Sequence, residues 1–365
     1  MIKKITGIIK KIYKIKIRFD FPNSKKILIF DDIFSSLLQE IIKKDFNILK
    51  VREEKEIYFW ILFKQIIFFD FKFFTYCKNY IKYTSPKVVI TLVDTNINFY
   101  KLKNGFKNVI FISIQNGHRL DNYSMFHDKR YIKSKRLKCD HIFVFNKYYI
   151  KEYSRIIESK YCTLGSIKNN IIKINKTKNH NQFLFISQFL KNHKKNNFQK
   201  KLLTFINLYL SRSGKKLHIL LRNKDILNQK AEIEFYKFFF KSNCVFHKTS
   251  KWKKSYEIMD KFENIIFMYS SLGYEAIARK KKVAIFSPIR DNDFELNFGW
   301  PGPSRKRYDF FSAKNLTYNE IKRVLSNVSN CTQVHWNKKH YNTLKDQLYI
   351  NKNNTKLRKI ILKLL

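Results

Sequence analysis

The stretch that most constrains this chain is residues 264–288, NIIFMYSSLGYEAIARKKKVAIFSP. It predicts a strand, a tight turn, a helix and a second strand. Ile265, Ile266, Phe267 and Met268 form a short apolar run with β-branched members, the mark of a buried strand. Ser270, Ser271 and Gly273 follow at once. Serine favours a helix N-terminus, and glycine lets a ligand approach the backbone closely. Residues 274–282 then read as helix and end in a basic run suited to a helix C-terminus. Residues 283–286 return as a buried strand that Pro288 closes. The amides and positive dipole end of such a helix make a seat for a phosphate or a sugar hydroxyl. Glu275 fits no capping box, because it lies four residues after Ser271 and five after Ser270. It reads either as a carboxylate near the helix dipole or as a hydrogen-bond acceptor for a ribose at the carboxyl end of a sheet.

The same rhythm runs through the rest of the chain. Apolar runs at 26–30, 46–51, 87–93, 109–114, 141–145 and 161–164 alternate with helical stretches at 34–44, 56–83, 98–103 and 147–157. Residues 166–181 are polar, basic and turn-rich. Strands then resume at 183–187, 216–222 and 244–248, between helices at 198–211, 231–240 and 255–262. Such alternation predicts parallel sheets. The fold expected is α/β, with two Rossmann-like domains whose parallel sheets face a central cleft. A chain of 365 residues has room for both. The divisions expected are a basic amphipathic segment at 1–22, a first domain at 23–165, a linker at 166–181, a second domain at 182–335, and closing helices at 336–365.

The net charge of +46 is extreme. An AT-rich genome enriches Lys, Asn, Ile and Phe together, and this chain holds 35 Phe, so the charge is discounted as evidence for nucleic acid. What survives is affinity for something anionic, whether phospholipid, nucleotide or polyphosphate. Cys77, Cys139, Cys162, Cys244 and Cys331 are scattered without a CxxC pair, which argues against zinc and a disulfide framework and fits a reducing cytoplasm. The first twenty residues lack the apolar core of a signal peptide. Residues 57–74 are strongly apolar but carry Lys64, Asp70 and Lys72, so a buried helix is expected there rather than a membrane span. Residues 1–19 alternate Ile and Lys, and read equally as a helix lying on an anionic membrane or as a solvated first helix.

The repeated strand–helix order, the SSLGYEAIARKKKVAIFSP element and the IQNG loop at 114–117 resemble a bacterial family of surface carbohydrate biosynthesis proteins. These are similar in architecture to GT-B glycosyltransferases and to the capsule and teichoic-acid glycerophosphotransferases. The resemblance spans most of the chain, from the first strand to the loop after Pro288. It implies that Ser270, Ser271, Gly273 and Glu275 hold a donor nucleotide on the second domain. It also implies that Arg222, at a strand end, contacts the donor phosphate, as a bidentate guanidinium does well. The plainer reading of Arg222 is one solvated cation among 74 Lys+Arg. Gln115, Asn116 and Gly117 would bind the acceptor from the first domain. His118 would be the general base, with Asp94 as its rival and Asp31 and Asp32 behind them. The His-Gly order of the glycerophosphotransferases is not reproduced, since here the glycine comes first.

Asp291, Asn292 and Asp293 form a DxD triplet in a late loop, the wrong place for a metal–diphosphate site, so no metal is expected. Ser304, Arg305 and Arg307 would instead close on the donor phosphates. There is no GxxxxGK[ST] loop, and no HExxH motif or His/Cys cluster suggests another metal site. The expected partners are a nucleotide-sugar, used as substrate with no separate cofactor, and a glycan or lipid-linked acceptor. The expected location is the cytoplasm, with peripheral contact at the inner membrane face. Glycerophosphate-type transfer and nucleotide-sugar epimerisation are alternatives on the same fold. A basic nucleic-acid-binding protein is the non-enzymatic alternative, though no binding module supports specific nucleic acid recognition.

Overall fold

A computed structural model describes residues 16–51, 56–67, 69–70, 72–118, 137–189, 197–287, 310–341 and 349–365. The chain divides into two compact units. The first holds the described residues up to Asn116, those from Leu137 to Lys168, and Asn351–Leu365. The second holds Gly117 and His118 and the described residues from Asn169 to Ile350.

The first unit is built on strands β2 (Ile27–Phe30), β3 (Asn47–Leu49), β5 (Val88–Thr91), β6 (Ile110–Ile114), β7 (Leu137–Val144) and β8 (Ile157–Thr163). They form one sheet in the order β3-β2-β5-β6-β7-β8, and every pairing is parallel. Strands β2 and β5 are buried at every residue, which is why they read as continuous apolar runs rather than alternating ones. Helices α1 (Ser35–Ile42), α2 (Phe59–Ile67), α3 (Phe73–Thr84), α4 (Ile97–Lys103) and α5 (Lys147–Ser154) connect them.

Three expectations need correction in this unit. Residues 56–58 are not helical. They form strand β4 (Glu56–Tyr58), parallel to β1 (Lys16–Arg18), with Ile17 opposite Ile57. The N-terminal segment expected as a helix therefore ends in a strand, and residues 1–15 lie outside the described residues. Second, α2 is not a buried helix. Trp60, Phe63 and Ile67 remain 42%, 41% and 56% exposed. Third, the closing helices expected at 336–365 do not form one group. A π-helical turn, Trp336–Tyr341, belongs to the second unit, whereas the final helix α11 (Thr355–Leu364) returns to the first. There the Asn354 amide donates to the Ile167 carbonyl at 2.9 Å, and Lys87 Nζ donates to the Leu365 carbonyl at 2.8 Å.

The second unit has strands β9 (Asn179–Ile186), β10 (Leu217–Leu220), β11 (Cys244–His247), β12 (Phe262–Phe267) and β13 (Lys282–Ile285). Their order is β11-β10-β9-β12-β13, all parallel, which is the doubly wound pattern with its switch point between β9 and β12. Helices α6 (Asn197–Ser213), α7 (Ile226–Phe240), α8 (Trp252–Asp260), α9 (Ser271–Ala278) and α10 (Tyr318–Asn330) complete it. Strand β9 starts at Asn179, inside the segment read as a linker.

Helix α9 is seated by close contact at one end and by charge at the other. A Cβ at Gly273 would overlap Cγ, Cδ1 and Cδ2 of Phe267, so only glycine lets the helix lie this close to β12. The sequence reading gave that glycine to a ligand; the structure gives it to the Phe267 ring. Beyond the C-terminal end, Arg279 pairs with both carboxylate oxygens of Asp260 at 2.7 and 2.5 Å. The same guanidinium donates to Asn169 Oδ1 at 2.8 Å and to the carbonyls of Ile172 and Lys173 at 3.2 and 3.0 Å. It thereby ties the segment entering β9 to the base of α9.

On the paired strands β10 and β11, His218 Nδ1 lies 2.9 Å from His247 Nε2 with the rings stacked. Burial, then His247, push His218 down to about 4, and burial also lowers His247. The fold thus holds imidazoles neutral that the unfolded chain protonates near pH 6.5.

Two outcomes follow. Gly273→Ala is expected to destabilise the protein by about 1–3 kcal/mol through overpacking against Phe267, read as a lower midpoint in urea. The second concerns acid. Because the unfolded state binds more protons between about pH 6.5 and 4, the stability contributed by the neutral pair is complete above 6.5 and lost as pH falls toward 4. Thermal melts across that window should show His218→Gln losing less stability on acidification than the wild type. Equal slopes would remove the histidine pair from the account.

Candidate functional site

The carboxyl ends of β9, β10 and β12 gather the second unit's candidate residues. After β12 comes Ser270, the N-cap of α9, whose side chain makes no capping hydrogen bond. Ser271 stands at the first helical position. Its hydroxyl oxygen accepts the His118 backbone N–H at 2.8 Å. The His118 ring lies flat on Tyr274, centroids 3.7 Å apart and planes 22° apart. His118 was expected to act from the first domain, yet it sits with the second unit, on the first turn of α9. Ser270 and Ser271 are half-buried, so the helix start remains partly open to solvent.

Arg222 follows β10. Its backbone N–H and that of Asn223 donate to the two oxygens of Glu232 at 2.9 and 3.0 Å, and Asn223 Nδ2 donates to Glu232 at 2.8 Å. The Ser187 hydroxyl, just past β9, donates to the same carboxylate. Glu232 is fully buried and fixes the loops after β9 and β10 together. The Arg222 side chain stays exposed, with one contact to the Phe189 carbonyl at 3.4 Å. Its charge reaches Tyr269: burial raises that phenol's pKa, and Arg222 works against the rise. Across the switch point, Gln188 Oε1 accepts the Tyr269 N–H at 3.1 Å.

Sequence reasoning passed over Glu232, Gln188 and Tyr269. Glu232 carried a signal, because Phe235 and Tyr236 lie three and four residues on, which puts the carboxylate on the buried stripe of α7.

Several expected roles change. Glu275 is 2% exposed and accepts the Tyr256 hydroxyl, so it is an internal anchor between α8 and α9 rather than a ribose acceptor. Asp94 is fully buried. It accepts the Tyr153 hydroxyl and the Asn116 N–H, the latter at 3.3 Å, and its carbonyl accepts the Tyr100 hydroxyl at 2.6 Å. A carboxylate enclosed in that way is not positioned as a base for an acceptor hydroxyl. Gln115 is buried as well, with Oε1 accepting the Phe145 N–H at 2.9 Å and its own N–H bound to the Phe143 carbonyl. It joins the ends of β6 and β7. Asn116 and Gly117 are half-buried, and Asn116 Oδ1 is enclosed without a protein partner. Asp31 is buried with φ 83°. Ser304 and Arg305, together with Arg307 and the triplet at 291–293, lie outside the described residues. Among the described residues, one cluster has the donor types of a metal centre, Cys331 with His335 and His340, and it lies on the turn after α10.

Comparison with solved structures matches this fold at low sequence identity. The Methanocaldococcus jannaschii UDP-GlcNAc 2-epimerase in complex with UDP-GlcNAc and UDP superposes with a TM-score of 0.58 at 12% identity, covering 92% of this chain and 99% of that one. The S. aureus MnaA–UDP co-structure gives 0.56 at 11% identity, covering 93% and 98%. TarM gives 0.48 at 13% identity, and the chain spans 58% of TarM's length. A search of curated proteins finds no match. A family model described as "putative O-antigen biosynthesis protein" matches residues 112–365, well over half of the sequence. The chain therefore belongs to that family of O-antigen biosynthesis proteins, built on two Rossmann-like parallel sheets of the GT-B type.

Proposed function

We propose that this protein is a glycosyltransferase that moves a sugar from a nucleotide-activated donor to a surface-polysaccharide acceptor. The observation that carries the reading is the topological switch point of the second unit, between β9 and β12. The uncapped start of α9 and the exposed guanidinium of Arg222 offer the two features that a diphosphate needs, oriented amides and a cation. In the reaction, a base takes the proton of an acceptor hydroxyl and that oxygen attacks the anomeric carbon. The bond from that carbon to the diphosphate oxygen breaks. The α9 dipole and Arg222 would stabilise the charge left on the phosphate. His118 remains the candidate base, since Asp94 is enclosed. Family membership supports the pathway, and solved neighbours named for UDP and UDP-GlcNAc support the donor class.

A second reading keeps the donor and changes the reaction to epimerisation of the nucleotide-sugar. Extent favours it, because the epimerase from Methanocaldococcus jannaschii is matched over 99% of its length.

The acceptor is proposed to be lipid-linked and met at an anionic bilayer. Phe21, Trp60, Phe63 and Tyr83 line a hollow of about 520 Å³ on the first unit, with Lys64 and Lys82 in the same wall. Aromatic side chains beside lysines suit the interface of a membrane with negative headgroups, and a net charge of +46 favours the approach.

Two experiments test these statements. In a thermal-shift panel of UDP, CDP, GDP and CMP, one nucleotide at about 100 times its Kd should stabilise the protein by about 2.7 kcal/mol, and Arg222→Ala should weaken that response. No stabilisation by any nucleotide on folded protein would overturn the donor site. With the nucleotide-sugar supplied, nucleotide release that requires an acceptor supports transfer, and conversion of the nucleotide-sugar to its epimer without an acceptor supports the epimerase reading. The second experiment is co-sedimentation with phosphatidylglycerol vesicles. Binding should weaken with salt and fall in the exposed-site double variant Phe63→Glu, Ile67→Glu. Unchanged binding in that variant would exclude this surface.

A further inference from the structure

The turn after α10 departs from ordinary helix geometry where three metal-binding side chains meet. Cys331 closes α10, its N–H donating to the Asn327 carbonyl at 3.1 Å. Thr332 then caps the next turn, its hydroxyl oxygen accepting the His335 N–H at 3.1 Å. The π-helical turn Trp336–Tyr341 follows. His340 lies five positions after His335, which ends the α-helical turn Gln333–His335. In an α-helix, whose bonds run between residues four apart, that spacing turns the second side chain away from the first. In a π-helix the bonds run between residues five apart, so the two imidazoles come into line. Sγ of Cys331 and a ring nitrogen of each histidine lie within 4.8 Å of one another.

We propose that Cys331, His335 and His340 bind a zinc-class transition-metal ion. One thiolate and two imidazoles are a donor set that tetrahedral Zn²⁺ accepts, with water in the fourth position. Mg²⁺ and Ca²⁺ prefer oxygen ligands, so the set discriminates against them. Bonds of about 2.3 Å to sulfur and about 2.0 Å to nitrogen require an inward shift of the three groups. The exposed His335 side chain supplies that freedom, while Cys331 and His340 are buried.

The surroundings hold the two buried ligands in place. Phe310 stacks on the His340 ring with centroids 3.9 Å apart, and Trp336 is fully buried beside it. Lys282 Nζ donates to the Cys331 carbonyl at 2.6 Å and pairs with Glu263 at 2.8 Å, which anchors the cysteine backbone to the start of β13. Binding displaces the Cys331 thiol proton to solvent. π-Helical turns are rare and concentrate at functional sites, and here the unusual register is what aligns the donors.

This inference stands apart from the donor-site reading, because the cluster lies on a different part of the second unit's chain. The test uses the full-length protein stripped of metal by a chelator. Co²⁺ is added as a spectroscopic probe, and Zn²⁺ affinity is read by competition with a chromophoric chelator. One equivalent of Co²⁺ should give a thiolate-to-cobalt charge-transfer band that Cys331→Ser abolishes. His335→Ala, at an exposed position, should keep its far-UV circular dichroism and lose more than about 100-fold in Zn²⁺ affinity, beyond the loss typical of an outer-shell partner. Absence of the band in the wild type, or wild-type Zn²⁺ affinity in His335→Ala, would overturn the proposal.

Discussion

The approach of α9 to β12 sets the rest of the second unit. With no side chain at position 273, the Phe267 ring packs against the helix backbone and the start of α9 comes down over the sheet edge. Tyr274 then turns inward, edge-on to Phe267 at 5.0 Å, and presents its ring to His118. Glu275 is carried inside to meet Tyr256. At the far end, Arg279 and Asp260 are 1% and 0% exposed. A buried pair of this kind adds little over an apolar core of equal fit, but removing one partner leaves a charge stranded at a cost of about 3–5 kcal/mol. Its five side-chain hydrogen bonds hold both the α9 terminus and the segment that enters β9. The position of α9 is thus fixed from both ends.

Acidic residues are scarce in this protein, 28 against 74 Lys+Arg, and several of the most deeply buried serve as anchors. Asp94, Glu232, Asp260 and Glu275 are all nearly or fully buried. Each collects donors from different elements: Tyr153 and Asn116 on Asp94, Ser187 and Asn223 on Glu232, Arg279 and Asn175 on Asp260, Tyr256 on Glu275. A buried carboxylate is tolerable only when its oxygens are occupied, so each of these positions specifies a local arrangement. Carboxylates committed inside leave a strongly cationic balance for the rest of the chain, which suits an anionic substrate or lipid surface.

The two parallel sheets were legible because strands buried on both faces are written as apolar runs, as at residues 27–30 and 265–267. Site roles were less legible, for a physical reason. Ser, Gly, Glu and Asp next to a strand end serve a ligand or the protein's own backbone with the same residue types. Gly273 was read as room for a ligand and is room for Phe267; Asp94 was read as a base and is an anchor. Only the third dimension separates these uses. The α2 stretch misled for a different reason. Apolar composition does not say which neighbours are available to cover a helix, and Trp60 and Ile67 are left partly uncovered. Residues 16–18 and 56–58 are too short to announce a strand pair without each other.

His118 gives the last step. By sequence it follows the strand β6 of the first unit, within four residues of Ile114. By contact it belongs to α9, through the Ser271 hydroxyl and the face of Tyr274. The side chain that the sequence offers as a base is therefore mounted on the same helix whose N-terminus is suited to phosphate. A hydrogen bond and a ring stack within a single compact unit hold it against that helix. Chemistry that needs a proton acceptor at a fixed distance from a phosphate seat can draw both from α9, and Gly273 governs the placement of each.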